Sequence, residues 1–346
     1  MNKLILHFQY IFRFLNYLSF RKLTNYLALK LSYFLSVLKI NNLTGLSPSF
    51  IAVEVTNFCN LHCPECPVGV ANDGKLKGKK FDLAIFRNLI NELKPTLQHV
   101  ILYFQGEPLL NKELPEIIRL AHEARIFTST STNAQFLTSE NSRLLVKSGL
   151  DKLIISLDGT TQETYSSYRV GGSIDKVFEG ISNVKYWKEE FKSVTPFIEI
   201  QFLVLKTNEH QLAEMKKIAK RLNVDKLTFK TAQLYNFEQG NDLMTSIKKY
   251  SRYEKKKDGG YQLKNKQPNC CNRLWSGAVV NVNGEVLPCC FDKSSAYSFG
   301  NVTNNSFNAV WQNMHAKDFR SKILADRKQF EICRNCNENI RFSIRL

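Results

Sequence analysis

Residues 51–66 read Ile-Ala-Val-Glu-Val-Thr-Asn-Phe-Cys-Asn-Leu-His-Cys-Pro-Glu-Cys: an apolar, strand-like run at 51–55 that passes directly into cysteines 59, 63 and 66. A buried strand running straight into a loop of reactive side chains is the pattern of parallel α/β proteins, whose chemistry gathers at the carboxyl ends of strands. Further apolar runs follow at 100–104, 127–132, 152–157, 198–205 and 226–229. Helical patterns lie near 82–93, 113–124, 139–148, 175–190 and 209–222, with Asp82, Ser139 and Asn208 as candidate N-caps. This alternation predicts an α/β fold with a parallel sheet. Six strands suit a partial (β/α)6 TIM-like barrel better than a closed eightfold one.

The spacing CxxxCxxC is a metal-ligand pattern. Three thiolates from one short loop can hold three corners of a four-iron four-sulfur cube, leaving one iron for a non-protein ligand. Zinc is the rival, because it also takes clustered thiolates. His62, wedged between Cys59 and Cys63, is awkwardly placed to complete a tetrahedral site. The nine cysteines group as 59/63/66, 270/271, 289/290 and 333/336, and no signal-peptide cleavage pattern opens the chain. Metal ligation in a reducing cytosol is therefore expected over a disulfide framework.

The run Val55-Thr56-Asn57-Phe58-Cys59-Asn60-Leu61-His62-Cys63-Pro64-Glu65-Cys66 resembles the cluster motif of the radical S-adenosylmethionine (SAM) superfamily, including its T-N-x-C-N lead-in. Three later strand ends resemble that family's cofactor contacts. Gln105-Gly106-Glu107-Pro108 is similar to its GGEP element, with Gln105 for the first glycine; Thr132-Asn133 is similar to its T-N-G segment, with Ala134 for glycine; Ser156-Leu157-Asp158-Gly159 matches S-x-D-G. The resemblance implies that Gln105, Gly106, Glu107, Asn133, Ser156 and Asp158 contact SAM, with Thr132 and Arg169 beside them. Read one at a time, the same residues are ordinary strand-end caps and turn acids.

Toward the C-terminus, Asn283-Gly284 between 279–282 and 285–287 predicts a hairpin with a type I′ turn. A helical stretch is expected around 306–315. Cys271, Cys289, Cys333 and Cys336 count out four ligands, enough to close a cluster without help, with a four-cysteine zinc ribbon as the rival. Cys271-x3-Trp275, Gly284-x-Val286-x-Pro288-Cys289, Gly300-Asn301, Trp311 and Cys333-x2-Cys336 resemble the SPASM domain in a reduced, twitch-like form that carries a single auxiliary 4Fe-4S cluster. Cys271 and Cys289 are preferred to Cys270 and Cys290 for their spacing to Trp275 and Pro288. The chain then divides into a helical, aromatic and basic extension at 1–45, a barrel core at 46–232, a linker at 233–268 and the auxiliary domain at 269–346.

The resemblance implies an oxidoreductase in which a 4Fe-4S cluster cleaves SAM reductively to a 5′-deoxyadenosyl radical. That radical takes hydrogen from substrate, the second cluster assists the redox step, and electrons come from a flavodoxin- or ferredoxin-type donor. Residues 1–45 do not look like a compact leader-recognition module, which tilts the expectation toward oxidation or epimerisation of a small molecule or glycan precursor. Peptide or protein maturation is the alternative, and a non-enzymatic zinc or electron-transfer protein is a third reading. The formal charge of +17 is spread along the chain with no nucleic-acid module in view. Within 1–45, Arg13, Arg21, Lys22, Lys30 and Lys39 break every apolar run before it reaches the ~18 residues of a spanning helix. That segment reads either as helices packed on the main domain or as an amphipathic helix on an anionic bilayer, a peripheral seat for a cytoplasmic protein.

Overall fold

The computed structural model describes residues 12–40, 45–72, 74, 78–264 and 267–336. Strands β1 (Phe50–Val53), β2 (His99–Ile101), β3 (Phe127–Thr132), β4 (Lys152–Ser156), β5 (Phe197–Val204) and β6 (Lys226–Thr231) lie in sequential order and pair in parallel. The intervening helices Leu83–Leu93, Leu114–Glu123, Ser139–Lys147, Ile174–Glu190 and Leu212–Arg221 pack their apolar stripes on one sheet face. Ile51, Val53, Val100, Leu102, Leu153, Ile155, Ile200 and Phe202 are sealed beneath them. Asp82 caps its helix as expected, accepting from the backbone N–H of Ala84 and Ile85. Thr138, one residue before Ser139, caps the helix that Ser139 begins. Asn208 caps nothing with its side chain, which instead accepts from Leu205 N and donates to the carbonyls of Asp158 and Leu203.

The C-terminal hairpin is part of the same sheet. Strand β9 (Gly277–Val280) pairs in parallel with β1, and β10 (Glu285–Leu287) and β11 (Gly300–Asn301) continue outward, giving the nine-strand order β11-β10-β9-β1-β2-β3-β4-β5-β6. The sheet does not close. The turn differs from expectation: Gly284 N donates to Asn281 O at 2.9 Å, Asn281 N donates to Glu285 O at 3.0 Å, and only Gly284 of the Asn-Gly pair has positive φ, +79°. This is a type I turn closed by a glycine bulge rather than type I′. The stretch expected at 306–315 is two helices, Phe307–Trp311 and Met314–Ala325, because Asn313 leaves helical geometry and caps the second through Ala316 N.

The segment 233–268 is more than a connection. Strands β7 (Tyr253–Lys255) and β8 (Tyr261–Leu263) form a separate antiparallel pair around Asp258-Gly259. At the opposite end of the barrel, helix Phe20–Val37 crosses the base. Its contacts fall just ahead of four strands: Lys22 Nζ donates to Arg125 O at 2.5 Å, Gln98 Nε2 to Lys22 O at 3.1 Å, Asn25 Nδ2 to Ser47 O at 2.8 Å and Trp275 Nε1 to Ser36 Oγ at 3.1 Å. The packed-helix reading of the extension thus describes this stretch, while residues 1–11 and 41–44 lie outside the described residues. Among the described residues no helix is long and apolar enough to cross a membrane.

Candidate cluster and cofactor site

The cysteine loop rises from the carboxyl end of β1 and is held from two sides. Gly106, at φ +71°, lies so close that a Cβ would sit 2.4 Å from Thr56 O, so only glycine lets the loop after β2 approach. Glu107 N then donates to Phe58 O at 2.9 Å. The Glu107 carboxylate is buried and turned inward, accepting from Thr132 Oγ1 at 2.6 Å, Asn133 N at 2.8 Å and Leu109 N at 3.2 Å. Burial raises its pKa, and these donors oppose the rise. Asn133 Nδ2 donates to Asn60 Oδ1 at 2.9 Å and stands 3.6 Å from Cys59 Sγ. Glu107 and Asn133 therefore tie the ends of β2 and β3 to the cysteine loop. Ala134, where the family pattern has glycine, is held at φ +64°.

From the next strand end, Asp158 Oδ2 accepts from Arg169 Nε at 2.6 Å and Oδ1 accepts from Leu203 N at 2.6 Å. Arg169 Nη1 in turn reaches 3.8 Å from Cys63 Sγ. Burial disfavours its charge, but Asp158 and Cys63 outweigh that and hold the guanidinium protonated. Ser156 stands in register with Gln201, and Gln201 with Thr228, one half-buried row on the barrel's inner face. Gln105 reaches away from the cysteine loop, its Nε2 donating to Lys293 O at 3.1 Å.

Cys59, Cys63 and Cys66 share a small apolar nest with Leu61, Tyr168, Leu205, Ala232 and Leu234. Burial pushes the Cys59 thiol up to about 12 and raises Cys63 as well, against the pull of Arg169. Such thiols are poor water-exposed nucleophiles, and a metal that displaces their protons is the natural partner. Among the described residues no three His, Cys, Asp or Glu side chains, His62 included, converge tightly enough to hold a single metal ion. Three thiols on one loop, set among apolar side chains with His62 outside a tetrahedral arrangement, are a donor set that a four-iron cluster can take.

The second group of cysteines behaves alike. A small cavity is lined by Cys271, Cys289, Cys333 and Cys336, the four counted from spacing, together with the buried Arg327. Cys270 and Cys290 do not line it. Cys290 instead packs with Ala52, Phe104, Val279 and Leu287 on the barrel's inner side. Burial disfavours the Arg327 charge, yet Cys336, Cys271 and Cys333 outweigh it and raise its pKa. A cation sealed beside four thiols complements the negative charge of a thiolate-bound cluster.

Residues 53–198 match the family model described as the radical SAM superfamily, and residues 270–337 match SPASM, described as an iron-sulfur cluster-binding domain. The chain belongs to the radical SAM superfamily. As a radical SAM enzyme with a C-terminal SPASM domain, it implies a 4Fe-4S cluster with SAM and auxiliary iron-sulfur binding, and the non-enzymatic reading falls away. It is similar to the PqqA peptide cyclase of Bradyrhizobium diazoefficiens, 25% identical over 78% of this chain and 74% of that one. It is also similar to the tungsten-containing aldehyde ferredoxin oxidoreductase cofactor-modifying protein of Pyrococcus furiosus, 24% identical over 83% and 87%. Streptococcus suis SuiB, solved bound to the precursor peptide SuiA, shares the fold at TM-score 0.59 and 13% identity, covering 84% of this chain and 71% of that chain.

Three residues of this radical SAM enzyme escape motif reading. Arg327 sits far in sequence from Cys271 and in no recognisable pattern. Lys293, three residues past Cys290, donates to Phe104 O at 3.2 Å and lies 4.1 Å from the Phe104 ring centroid, so the SPASM loop touches the barrel mouth. Glu65, inside the cysteine loop, accepts from Tyr235 N and Asn241 Nδ2, each at 2.9 Å, anchoring the 233–268 segment. The Asp258-Gly259 pair between Tyr253 and Tyr261 is a hairpin signal for β7 and β8, which the reading of 233–268 as a linker overlooks.

Proposed function

We propose that Cys59, Cys63 and Cys66 hold the SAM-binding cluster, that Cys271, Cys289, Cys333 and Cys336 hold an auxiliary one, and that the enzyme oxidises or epimerises a small, hydroxyl-rich molecule such as a glycan precursor. The bound cluster and SAM together supply a radical able to take hydrogen from an unactivated C–H bond. The residues of this chain bind and orient the substrate and keep water out. The row Ser156, Gln201 and Thr228 carries the reading: in register, half-buried and on the barrel's inner face, it makes that wall polar, with the Thr228 hydroxyl sealed beside Glu199 and Ser156 and Gln201 left to meet an alcohol. Below it, Gln201 Nε2 donates to Glu199 Oε1 at 3.2 Å, and Glu199 pairs with Lys152 at 2.6 Å, closing the interior with charge. Asp158 fixes the Arg169 guanidinium so that its Nη1 lies beside Cys63, where it can donate to a carboxylate such as that of SAM. The net charge of +17 suits an acidic flavodoxin or ferredoxin as donor.

Peptide modification is the second reading. It is supported by a surface groove of about 880 Å³ beside β7 and β8, lined by Phe237, Glu254, Lys256, Tyr261, Lys264 and Arg334 among others, and by relatives named for peptide substrates. The test is 5′-deoxyadenosine release by the anaerobically reconstituted enzyme against a panel of amino sugars and nucleotide sugars and a panel of peptides. Stimulation by a hydroxylated small molecule, weakened by Gln201→Leu mainly through KM, is the expected result. Stimulation by peptides alone would overturn the small-molecule reading.

A further inference from the structure

Helix Phe20–Val37 is amphipathic in the reverse of the usual sense. Its buried residues are Lys22, Asn25, Leu29, Ser32 and Ser36, most of them polar. Its outward face is apolar: Phe20, Leu23, Leu27, Leu31 and Phe34 are 83, 44, 57, 50 and 58% exposed, and Leu38 just beyond the helix is 52% exposed. Steps of three and four residues put these side chains on one stripe. An ordinary surface helix buries such a stripe. Here the polar face is occupied by the barrel base, through Lys22, Asn25 and Ser36, so the helix cannot roll its apolar side inward without breaking those bonds.

The charge around the stripe selects what covers it. Residues 1–45 contain no Asp or Glu. Exposed Arg21 and Lys39 lie on the helix and just past its end, and exposed Arg125 is fastened to its approach by a 2.7 Å bond to Asn16 O, whereas Lys30 turns back to donate to Asn272 Oδ1 at 3.0 Å. A second copy laid on this face would bring like charges together. An anionic bilayer takes up both the apolar stripe and the cations. We propose that this helix seats the protein on an anionic membrane surface. The helix crosses the amino ends of β1, β2, β3 and β9, so the mouth with its cysteine loop faces away from the lipid and substrate arrives from the aqueous side. This goes beyond the proposed reaction and does not depend on it.

The full-length protein is sedimented with phosphatidylcholine vesicles with and without phosphatidylglycerol, at low and high salt, and its oligomeric state is measured by light scattering. Expected is a monomer that co-sediments with phosphatidylglycerol vesicles many-fold more than with neutral ones, weakening with salt. The combined variant Leu27→Glu, Leu31→Glu, Phe34→Glu should lose that binding at least tenfold, with helical content, iron content and SAM cleavage unchanged. Arg21→Glu with Lys39→Glu, which leaves the stripe intact, should lower the preference for phosphatidylglycerol. Failure of the wild-type chain to bind phosphatidylglycerol vesicles, or a stable dimer that the triple variant splits, overturns the proposal.

Discussion

The Asp158–Arg169 pair lends itself to a quantitative test. Asp158→Asn keeps an oxygen for Leu203 N but replaces the carboxylate facing Arg169 Nε, now 2.6 Å away, with a neutral group. The Asp158 side chain is 1% exposed and that of Arg169 19%, so neither charge can be handed to bulk water by a small movement. Removing one partner of a buried pair costs about 3–5 kcal/mol. The partial exposure of Arg169 places this case near about 3 kcal/mol, or about 4 °C in Tm for a chain of 346 residues. Arg169→Met removes the stranded cation, so the double variant should be less destabilised than the sum of the singles by about 1–3 kcal/mol. Thermal unfolding of the four proteins completes the cycle. A Tm for Asp158→Asn within 2 °C of the parent, or strictly additive losses, would refute the view that this pair is a buried electrostatic clamp beside Cys63.

Three further outcomes follow. Ala134→Gly should stabilise the protein by about 0.5–1 kcal/mol, since release from the left-handed region exceeds glycine's added chain entropy; a lower Tm would contradict this. Cys270→Ser and Cys290→Ser should each retain the full iron complement, because neither side chain lines the auxiliary cavity, and loss of half the iron in either would reassign a ligand. Glu209 feels burial pushing its pKa up, but hydrogen bonds from Ser246, Thr245 and Lys206 prevail and bring it down to about 2. Its folded pKa lies below the unfolded value of about 4.5, so its contribution is present above that pH and is lost as pH falls toward 2. Hydrogen exchange at 243–247 should accelerate across that acid window, and a flat profile would contradict the clamp.

The barrel was legible because each βα unit writes its own local pattern: the apolar runs of β1 to β6 and the caps between them depend on near neighbours. The grouping of Cys271, Cys289, Cys333 and Cys336 around one cavity followed from short spacings in the same way, and their role as ligands is the proposal made above. What escaped depended on distant pairing. Nothing local in Gly277–Val280 reveals that it runs parallel to Phe50–Val53, and a hairpin signal does not say which sheet the hairpin joins. Arg327 and Lys293 acquire meaning only once folding brings Cys333 and Phe104 beside them. Glu107 combines the two. Its motif offers a cofactor contact, and what no motif shows is that its three internal bonds also fasten Asn133 against the cysteine loop. The inverted helix at the base is readable in part: its lack of acids is in the sequence, but which face turns outward is decided by Lys22, Asn25 and Ser36 finding partners across the barrel.

The central claim is that two separate sets of thiols each hold a four-iron cluster and that only the set at 59, 63 and 66 initiates SAM cleavage. Iron and zinc content with 5′-deoxyadenosine release, measured on anaerobically reconstituted wild type, Cys63→Ala and Cys333→Ala, addresses it directly. The expected result is about eight irons in the wild type and about four in each variant, with cleavage abolished by Cys63→Ala and retained but uncoupled from product in Cys333→Ala. Bound zinc in place of iron, or cleavage that survives Cys63→Ala, would contradict it.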